Sequence, residues 1–388
     1  MTHCRLSAGL FLIIALPVMC FGQSPSQRQS VPETDRGGQS NESVGAPSNE
    51  TTQAKEELQR GTALTRRGRF KEAIPYLMAA RAILPNVLGL EFNLSLCYLG
   101  TGEYDKAIAI LDKLRHGGHD TADVENLLAQ AYVGSDRGNE ALTALERAAA
   151  ITPQNEKLYV FVADACSDAQ KLELGLKVVE IGLKNLPQSA RLHYQRAVLL
   201  SELDQFDRAK PDFEQASQLA QGSEVAYLAA GQEALLEGNV PEGVRIAREG
   251  ISKGIQNPAL LVILGKALLR SGITPEQPEF SEAQSAMGKA VAERPNDAGS
   301  QVALGQIYLI AGRVDDAITH LQIAQRLRPD QPAVYASLAK AYQRRGDAKS
   351  AQDALSKLAT LNEAQAERIR SAPGERKMSY GGESAPPQ

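Results

Sequence analysis

GQIYLIAGRVDDAITHLQIAQRLRP, residues 305–329, decides the fold. Gly305 and Ala317 are small among large neighbours, Gly312 punctuates the middle, and Pro329 closes the stretch. The same skeleton recurs every 34 residues, nine times, from Ala54 to Gln365. Counting places from the first residue of each unit, the eighth holds Gly61, Ser95, Ala129, Ala163, Ala197, Gly231, Gly265, Gly305 and Ala339. The twentieth holds Ala73, Ala107, Ala141, Gly175, Ala209, Gly243, Ala283, Ala317 and Ala351. A fixed period with two columns of small residues means stacked supersecondary units, whose function is carried by a surface rather than one pocket.

Each unit reads as helix, turn, helix. In the first, Leu58, Gly61 and Leu64 mark one stripe at helical spacing, and Ala73, Leu77 and Ala80 a second, with Arg67-Gly68-Arg69 between them and Pro85 after. The turn glycine returns as Gly102, Gly238, Gly272, Gly312 and Gly346, and Asp136, Gln170 and Asp204 replace it in units three to five. Glycine there fits a helix C-terminus that needs positive φ. The closing proline recurs as Pro153, Pro187, Pro295 and Pro329, where it stops the second helix. The small columns are expected where the two helices of a hairpin cross, so that Leu at Ala141 or Ala317 would wedge the pair open at ~1–3 kcal/mol. Unit seven is irregular: Ile273 to Glu279 lengthen its turn by about six residues, and per-repeat insertions map to one edge of a stack.

Small residues at eight and twenty, Tyr98, Tyr132, Tyr308 or Tyr342 at eleven, glycine at fifteen and proline at thirty-two resemble the tetratricopeptide repeat. The resemblance covers residues 54–365, as units 54–87, 88–121, 122–155, 156–189, 190–223, 224–257, 258–297 (with the insertion), 298–331 and 332–365. The family's frequent Trp at the fourth place is never present; Tyr159, Tyr227 and Tyr335 are the nearest substitutes. The fold the resemblance implies is all-α, a right-handed α-solenoid superhelix of tandem helix-turn-helix repeats. A short cap over Ala364–Arg370 and a disordered tail to Gln388 are expected after it.

Before the array, residues 1–22 read as an export signal. Arg5 precedes the apolar run Leu6–Leu16, Pro17 breaks it, and Cys20 and Gly22 are small residues before a possible cut at Gln23. Roughly 16 apolar residues with a proline fall short of the ~20 that span a bilayer, and Pro17-Val18-Met19 does not resemble a lipobox before Cys20. Residues 23–53, rich in Ser, Gln and Pro, are expected to be a disordered leader. An exported chain in a bacterial periplasm or envelope, or a secreted one, is the expectation, with membrane association only through a partner or an uncleaved signal. Of the four cysteines, Cys97 and Cys166 lie inside the array two units apart, too far for the ~6 Å Cα separation of a disulfide, and read as small buried hydrophobes.

The formal net charge is −4 and no Lys/Arg block stands out, so a nucleic-acid footprint is missing. There is no Gly-x-Ser-x-Gly elbow, no phosphate-cradling Gly-Lys-Ser/Thr loop and no His-Glu-x-x-His. His116-Gly117-Gly118-His119, followed by Asp120 and Asp123, has a metal-like spacing, but it falls in the connection between units two and three and reads as a polar loop. The expectation is therefore no enzyme, no catalytic residues, no metal, no cofactor and no small-molecule substrate.

What remains is the wall of first helices. In the family this chain resembles, places two, five, six, nine, twelve and thirteen line a concave groove. Carried over, they give Phe92, Asn93, Leu96 and Leu99 in unit two, and Asn126, Gln130 and Val133 in unit three. Lys157, Val160, Phe161 and Asp164 follow from unit four, and Arg191, Tyr194 and Gln195 from unit five. Apolar anchors among amides suit an extended or helical peptide, some of them packing against the neighbouring helix instead. A family subset that clamps a terminal carboxylate wants Lys and Asn before a site like Asn93 and Lys and Arg after it; Leu58, Thr62, Asp123 and Leu127 stand there instead. Towards the C-terminus the wall turns aliphatic, with Val262, Leu269, Val302, Leu309 and Ile310. The reading is a protein–protein interaction scaffold for a protein or peptide segment, the alternative being an accessory or regulatory subunit of an envelope enzyme or of a secretion or assembly complex.

Overall fold

The fifteenth place sets the geometry of every hairpin. Gly68, Gly102, Gly238, Gly272, Gly312 and Gly346 have φ between 67° and 80°, and Asp136, Gln170 and Asp204, which replace glycine, have φ of 65°, 58° and 60°. All nine turns thus end the first helix in the left-handed region. Left-handed backbone costs a side chain about 1–2 kcal/mol that glycine is spared, offset in part by glycine's extra freedom when unfolded. Gln170→Gly is expected to stabilise the chain by roughly 0.5–1 kcal/mol in urea denaturation; a destabilised variant would contradict the strain assigned to this turn.

The computed structural model describes residues 49–371, and among them every regular element is an α-helix. The contacts divide the chain between Ala229 and Ala230 into two compact units. The first holds the hairpins α1 (Asn49–Arg66) with α2 (Phe70–Ile83), α3 (Leu88–Gly100) with α4 (Tyr104–His116), and α5 (Ala122–Gly134) with α6 (Gly138–Ile151). It continues with α7 (Glu156–Asp168) and α8 (Leu172–Asn185), then α9 (Ala190–Glu202) and α10 (Phe206–Leu219). The division falls within α11 (Glu224–Leu236). The second unit holds α12 (Val240–Ser252), α13 (Pro258–Arg270) with α14 (Pro278–Glu293), α15 (Ala298–Ile310) with α16 (Val314–Leu327), and α17 (Pro332–Arg345) with α18 (Ala348–Ser371). Within each unit, helices adjacent in sequence pack together, and so do the first helices of consecutive hairpins, as in α3·α5, α5·α7, α7·α9 and α15·α17. The fold is an all-α array of tandem helix-turn-helix repeats.

Three boundaries differ from expectation. Helix α1 begins at Asn49, so the last five residues read as leader are helical. Helix α18 runs 24 residues without a break, so Ala364–Arg370 continues the last hairpin rather than forming a separate cap; no Gly or Pro interrupts it. Pro278 and Glu279, read as insertion loop, form the start of α14, where a proline has no helical hydrogen bond to lose. The remaining loop is pinned by Ile273, which is buried. The export signal, most of the leader and the tail after Ser371 lie outside the described residues.

The small columns do two jobs rather than one. Place eight faces its own hairpin in units one and eight: a Cβ on Gly61 would lie 2.7 Å from Leu77 Cγ, and one on Gly305 2.8 Å from Leu321 Cγ, whereas one on Gly231 of unit six would lie 3.0 Å from Ile263 Cγ2 of the next repeat. Place twenty also meets the following repeat: a Cβ on Gly175 would lie 3.1 Å from Leu199 Cδ2 and 3.2 Å from Cys166 Cβ. Cys97 and Cys166 are free and fully buried. Burial pushes their thiols up to about 11 and about 12, which makes them inert.

Place four, left without its usual Trp, carries a recurring bond. Tyr159 Oη donates to the Pro153 carbonyl at 2.9 Å, Gln301 Nε2 to Pro295 at 2.7 Å, and Tyr335 Oη to Pro329 at 2.8 Å. His193 Nε2 stands 3.0 Å from the Pro187 carbonyl in the same way. The closing proline and the fourth residue of the next unit are thus one device, tying consecutive hairpins through a main-chain carbonyl six residues back.

In unit three that place is Glu125, whose side chain is fully buried and whose carboxylate oxygens lack a hydrogen-bond partner. Burial raises its pKa; the guanidinium of Arg115, with Nη1 at 3.6 Å, opposes this, nearby Asp120 adds to the rise, and Arg147 at 3.8 Å opposes it more weakly. A folded-state pKa above the unfolded one gives stability that is full below the ordinary glutamate range and lost as pH rises through the folded value. Glu125→Gln is therefore expected to match wild type near pH 4 and exceed it in stability at pH 8, by thermal denaturation across pH. Parallel profiles for the two proteins would contradict this.

Candidate partner-binding site

The first helices α3, α5, α7 and α9 bring the predicted groove places onto neighbouring elements of the first unit. On α3, Phe92, Asn93, Leu96 and Leu99 are all half-buried. Asn93 Nδ2 donates to the Gly89 carbonyl at 2.6 Å and reaches Thr62 Oγ1 of α1 at 3.5 Å. On α7, Phe161 and Asp164 are half-buried and Lys157 is exposed, whereas Val160 is buried. On α9, Tyr194 and Gln195 are half-buried, with Gln195 Nε2 donating to Asp164 Oδ1 at 2.6 Å. The Tyr194 ring lies 5.9 Å from that of Phe213 on α10, tilted by 58°, so it is seated on its own hairpin.

Besides Val160, two predicted groove residues are not on the surface. Asn126 is only 4% exposed and its Nδ2 donates to the Leu158 carbonyl of α7 at 2.7 Å, while Gln130 Nε2 donates to Asn126 Oδ1 at 2.8 Å. Val133 is completely buried. At this point of the stack, places five and twelve of α5 turn into the seam with α7, and a buried amide there serves the seam. Removing it would take away a buried hydrogen bond between the two helices, at about 0.5–1.5 kcal/mol. The surface that remains is apolar at Phe92, Leu96 and Phe161 and polar at Asn93, Gln130, Asp164 and Gln195.

The amides of this face are mutually engaged across consecutive repeats. Gln195 with Asp164 has a counterpart in the second unit, where Gln306 Nε2 donates to Ser337 Oγ at 3.1 Å. Both join place nine of one repeat to place six of the next, and Asn93 with Thr62 repeats the spacing. Such bonds hold the polar groups in fixed orientations. Of the aliphatic C-terminal places, Val302 and Leu309 are buried in the core with Leu338 and Ala341, leaving Val262, Leu269 and Ile310 half-buried.

The His116–His119 stretch has no such organisation. His116 ends α4 with Nδ1 2.7 Å from the Asp112 carbonyl, and both histidines are exposed. Among the described residues no cluster of three or more His, Cys, Asp or Glu side chains could hold a metal ion. None of the described helices is long and apolar enough to cross a membrane.

Sequence profiles described as tetratricopeptide repeat match residues 64–131 and 276–341, with further matches at 190–222 and 332–357. The chain belongs to the tetratricopeptide repeat family, a fold generally used as a protein–protein interaction scaffold. It is 22% identical over 306 residues to tetratricopeptide repeat protein 16 of Mus musculus, covering 71% of this chain and 39% of that protein. It therefore spans about two fifths of the length of that curated relative. Among solved structures it is similar to the APC/C hetero-tetramer Cut9-Hcn1, with 16% identity, a TM-score of 0.46 and coverage of 74% of this chain and 55% of that one. A tetratricopeptide repeat protein from Parabacteroides merdae shows 17% identity, a TM-score of 0.42 and coverage of 75% and 99%.

Proposed function

We propose that this protein is an exported, non-catalytic scaffold that captures an extended or helical segment of a protein partner on the first-helix face of α3, α5 and α7, in a bacterial periplasm or envelope. The observation that carries the binding reading is the pair of half-buried aromatic rings, Phe92 and Phe161, set on that face among amides held by hydrogen bonds within and between repeats. Aromatic anchors ringed by ordered polar groups are the usual energetic centre of a binding surface. The amphipathic face of a partner helix, or alternate side chains of a strand, would seat against the rings while its backbone meets Asn93, Gln130 and Gln195. Export rests on Arg5, the apolar run Leu6–Leu16 and the small residues before Gln23.

Two experiments test these readings separately. Cell fractionation with N-terminal sequencing should find the mature chain outside the cytoplasm and starting at Gln23; an intact Met1 on cytoplasmic protein would refute export. Crosslinking capture from native envelopes should retrieve a partner with wild type and lose it with Phe92→Ala/Phe161→Ala. Capture unchanged by that double variant would refute the site.

A further inference from the structure

The first and last repeats each expose a helix face that interior repeats bury, and here the two are built differently. Place twenty-four is buried in all eight units before the last, as Leu77, Leu111, Leu145, Val179 and Leu321 illustrate. Leu355, at that place in unit nine, is 38% exposed. In interior repeats this side is closed between the hairpin's own first helix and the next one: at place twenty-seven, a Cβ on Gly182 would lie 2.8 Å from Tyr159 Cγ of its own hairpin and 2.9 Å from Leu192 Cδ1 of the next repeat. In α18 that place is Leu358, half-buried against the core, with Leu361 one turn on. A stripe of Leu355, Leu358 and Leu361 therefore runs along a helix of 24 residues, where the other second helices have 13 to 16.

At the other end, places three and seven carry the complementary face: Leu90 and Leu94, Leu260 and Leu264, Val334 and Leu338, all buried. In α1 the same places are Glu56 and Arg60, both exposed, with the Arg60 guanidinium 4.3 Å over the Tyr76 ring. Charge closes this end, as a capping repeat does. The α18 end has no equivalent. Nor does the sequence after it, residues 372–388, offer an amphipathic helix: it has Pro373, Pro386 and Pro387, and Met378 and Tyr380 as its only large apolar residues.

We propose that the Leu355–Leu361 face of α18 is covered by the same face of a second copy of this chain, as a two-fold symmetric pair. The face continues the repeat-to-repeat interface, so its occupant must bring an apolar helix stripe. The α1 end of another copy cannot, because it would bury Glu56 and Arg60 against leucines, and unpaired charges are too costly to desolvate. An identical face can, since a two-fold contact needs only self-complementarity.

Light scattering on the full chain should give twice the chain mass, and Leu355→Glu should weaken pairing by at least about tenfold with unchanged far-UV circular dichroism. Hydrogen exchange of wild type across a dilution series should show concentration-dependent protection in α18 and none in α1, a readout independent of how the variant folds. A monomer at ~100 µM, a dimer indifferent to Leu355→Glu, or protection growing on α1 instead would each overturn the proposal. So would α18 protection that does not change with dilution, because it would place the cover within the same chain.

Discussion

Gly305→Leu should be among the most damaging single changes in the array, at about 3 kcal/mol or more. Gly305 is fully enclosed where α15 crosses α16, and even a methyl there would stand 2.8 Å from Leu321 Cγ and 3.3 Å from the Ala317 carbonyl oxygen. A leucine adds three further carbons with nowhere to go, and overpacking a dense core forces backbone shifts that cost 1–3 kcal/mol and sometimes more. Because each repeat leans mainly on its neighbours, the loss should be local before it is global. Hydrogen exchange should show lost protection in α15 to α17, including Leu338 and Ala341 of the shared cluster, while the first unit keeps its own. Leu321→Ala alone is expected to cost about 2–5 kcal/mol through its cavity. Placed on Gly305→Leu it should cost far less, since the added leucine fills the space; strict additivity would show that the two places do not touch.

The second large effect is on binding. Phe92→Ala/Phe161→Ala is expected to weaken partner capture by about 100-fold or more, on the basis of roughly 1.5–2 kcal/mol for each aromatic anchor. Both rings are only half-buried in the free protein, so their removal should leave most of the helical content in place. Asn126 does not belong in such a variant: its amide spans α5 and α7 through the Leu158 carbonyl, and its loss would confuse binding with folding. A double variant that retains full helicity and full capture would sever the link between this face and the partner.

The positions of the helices were legible because the constraints that fix them are local and repeat. Small residues at eight and twenty and the turn at fifteen recur at one spacing, so Asp136, Gln170 and Asp204 could be assigned to the turn by register although none is glycine. Where a helix stops was less legible. Nothing between Leu355 and Ser371 breaks a helix, so α18 simply continues, and Pro278 could open α14 as readily as occupy a loop. The site was legible only as a set of places. A place number gives a direction around a helix, but the rotation of each helix against its neighbour decides whether that direction ends in solvent or in a seam. This is why Phe92 is half-buried while Asn126, at the same place one repeat later, is buried. The bond from place four to the closing proline had a signal too, in the constant six-residue offset from Pro153, Pro187, Pro295 and Pro329 to Tyr159, His193, Gln301 and Tyr335. It was hidden because three different residue types fill one role.

Site-specific photocrosslinking in the native envelope tests the central claim most directly. A photoreactive phenylalanine analogue would replace residue 92 or 161 on the first helices, or the exposed Lys113 or Glu180 on the second helices α4 and α8. Covalent adducts to one partner from positions 92 and 161, and none from 113 and 180, are the predicted result. Adducts from the second-helix positions alone would contradict binding on the first-helix face.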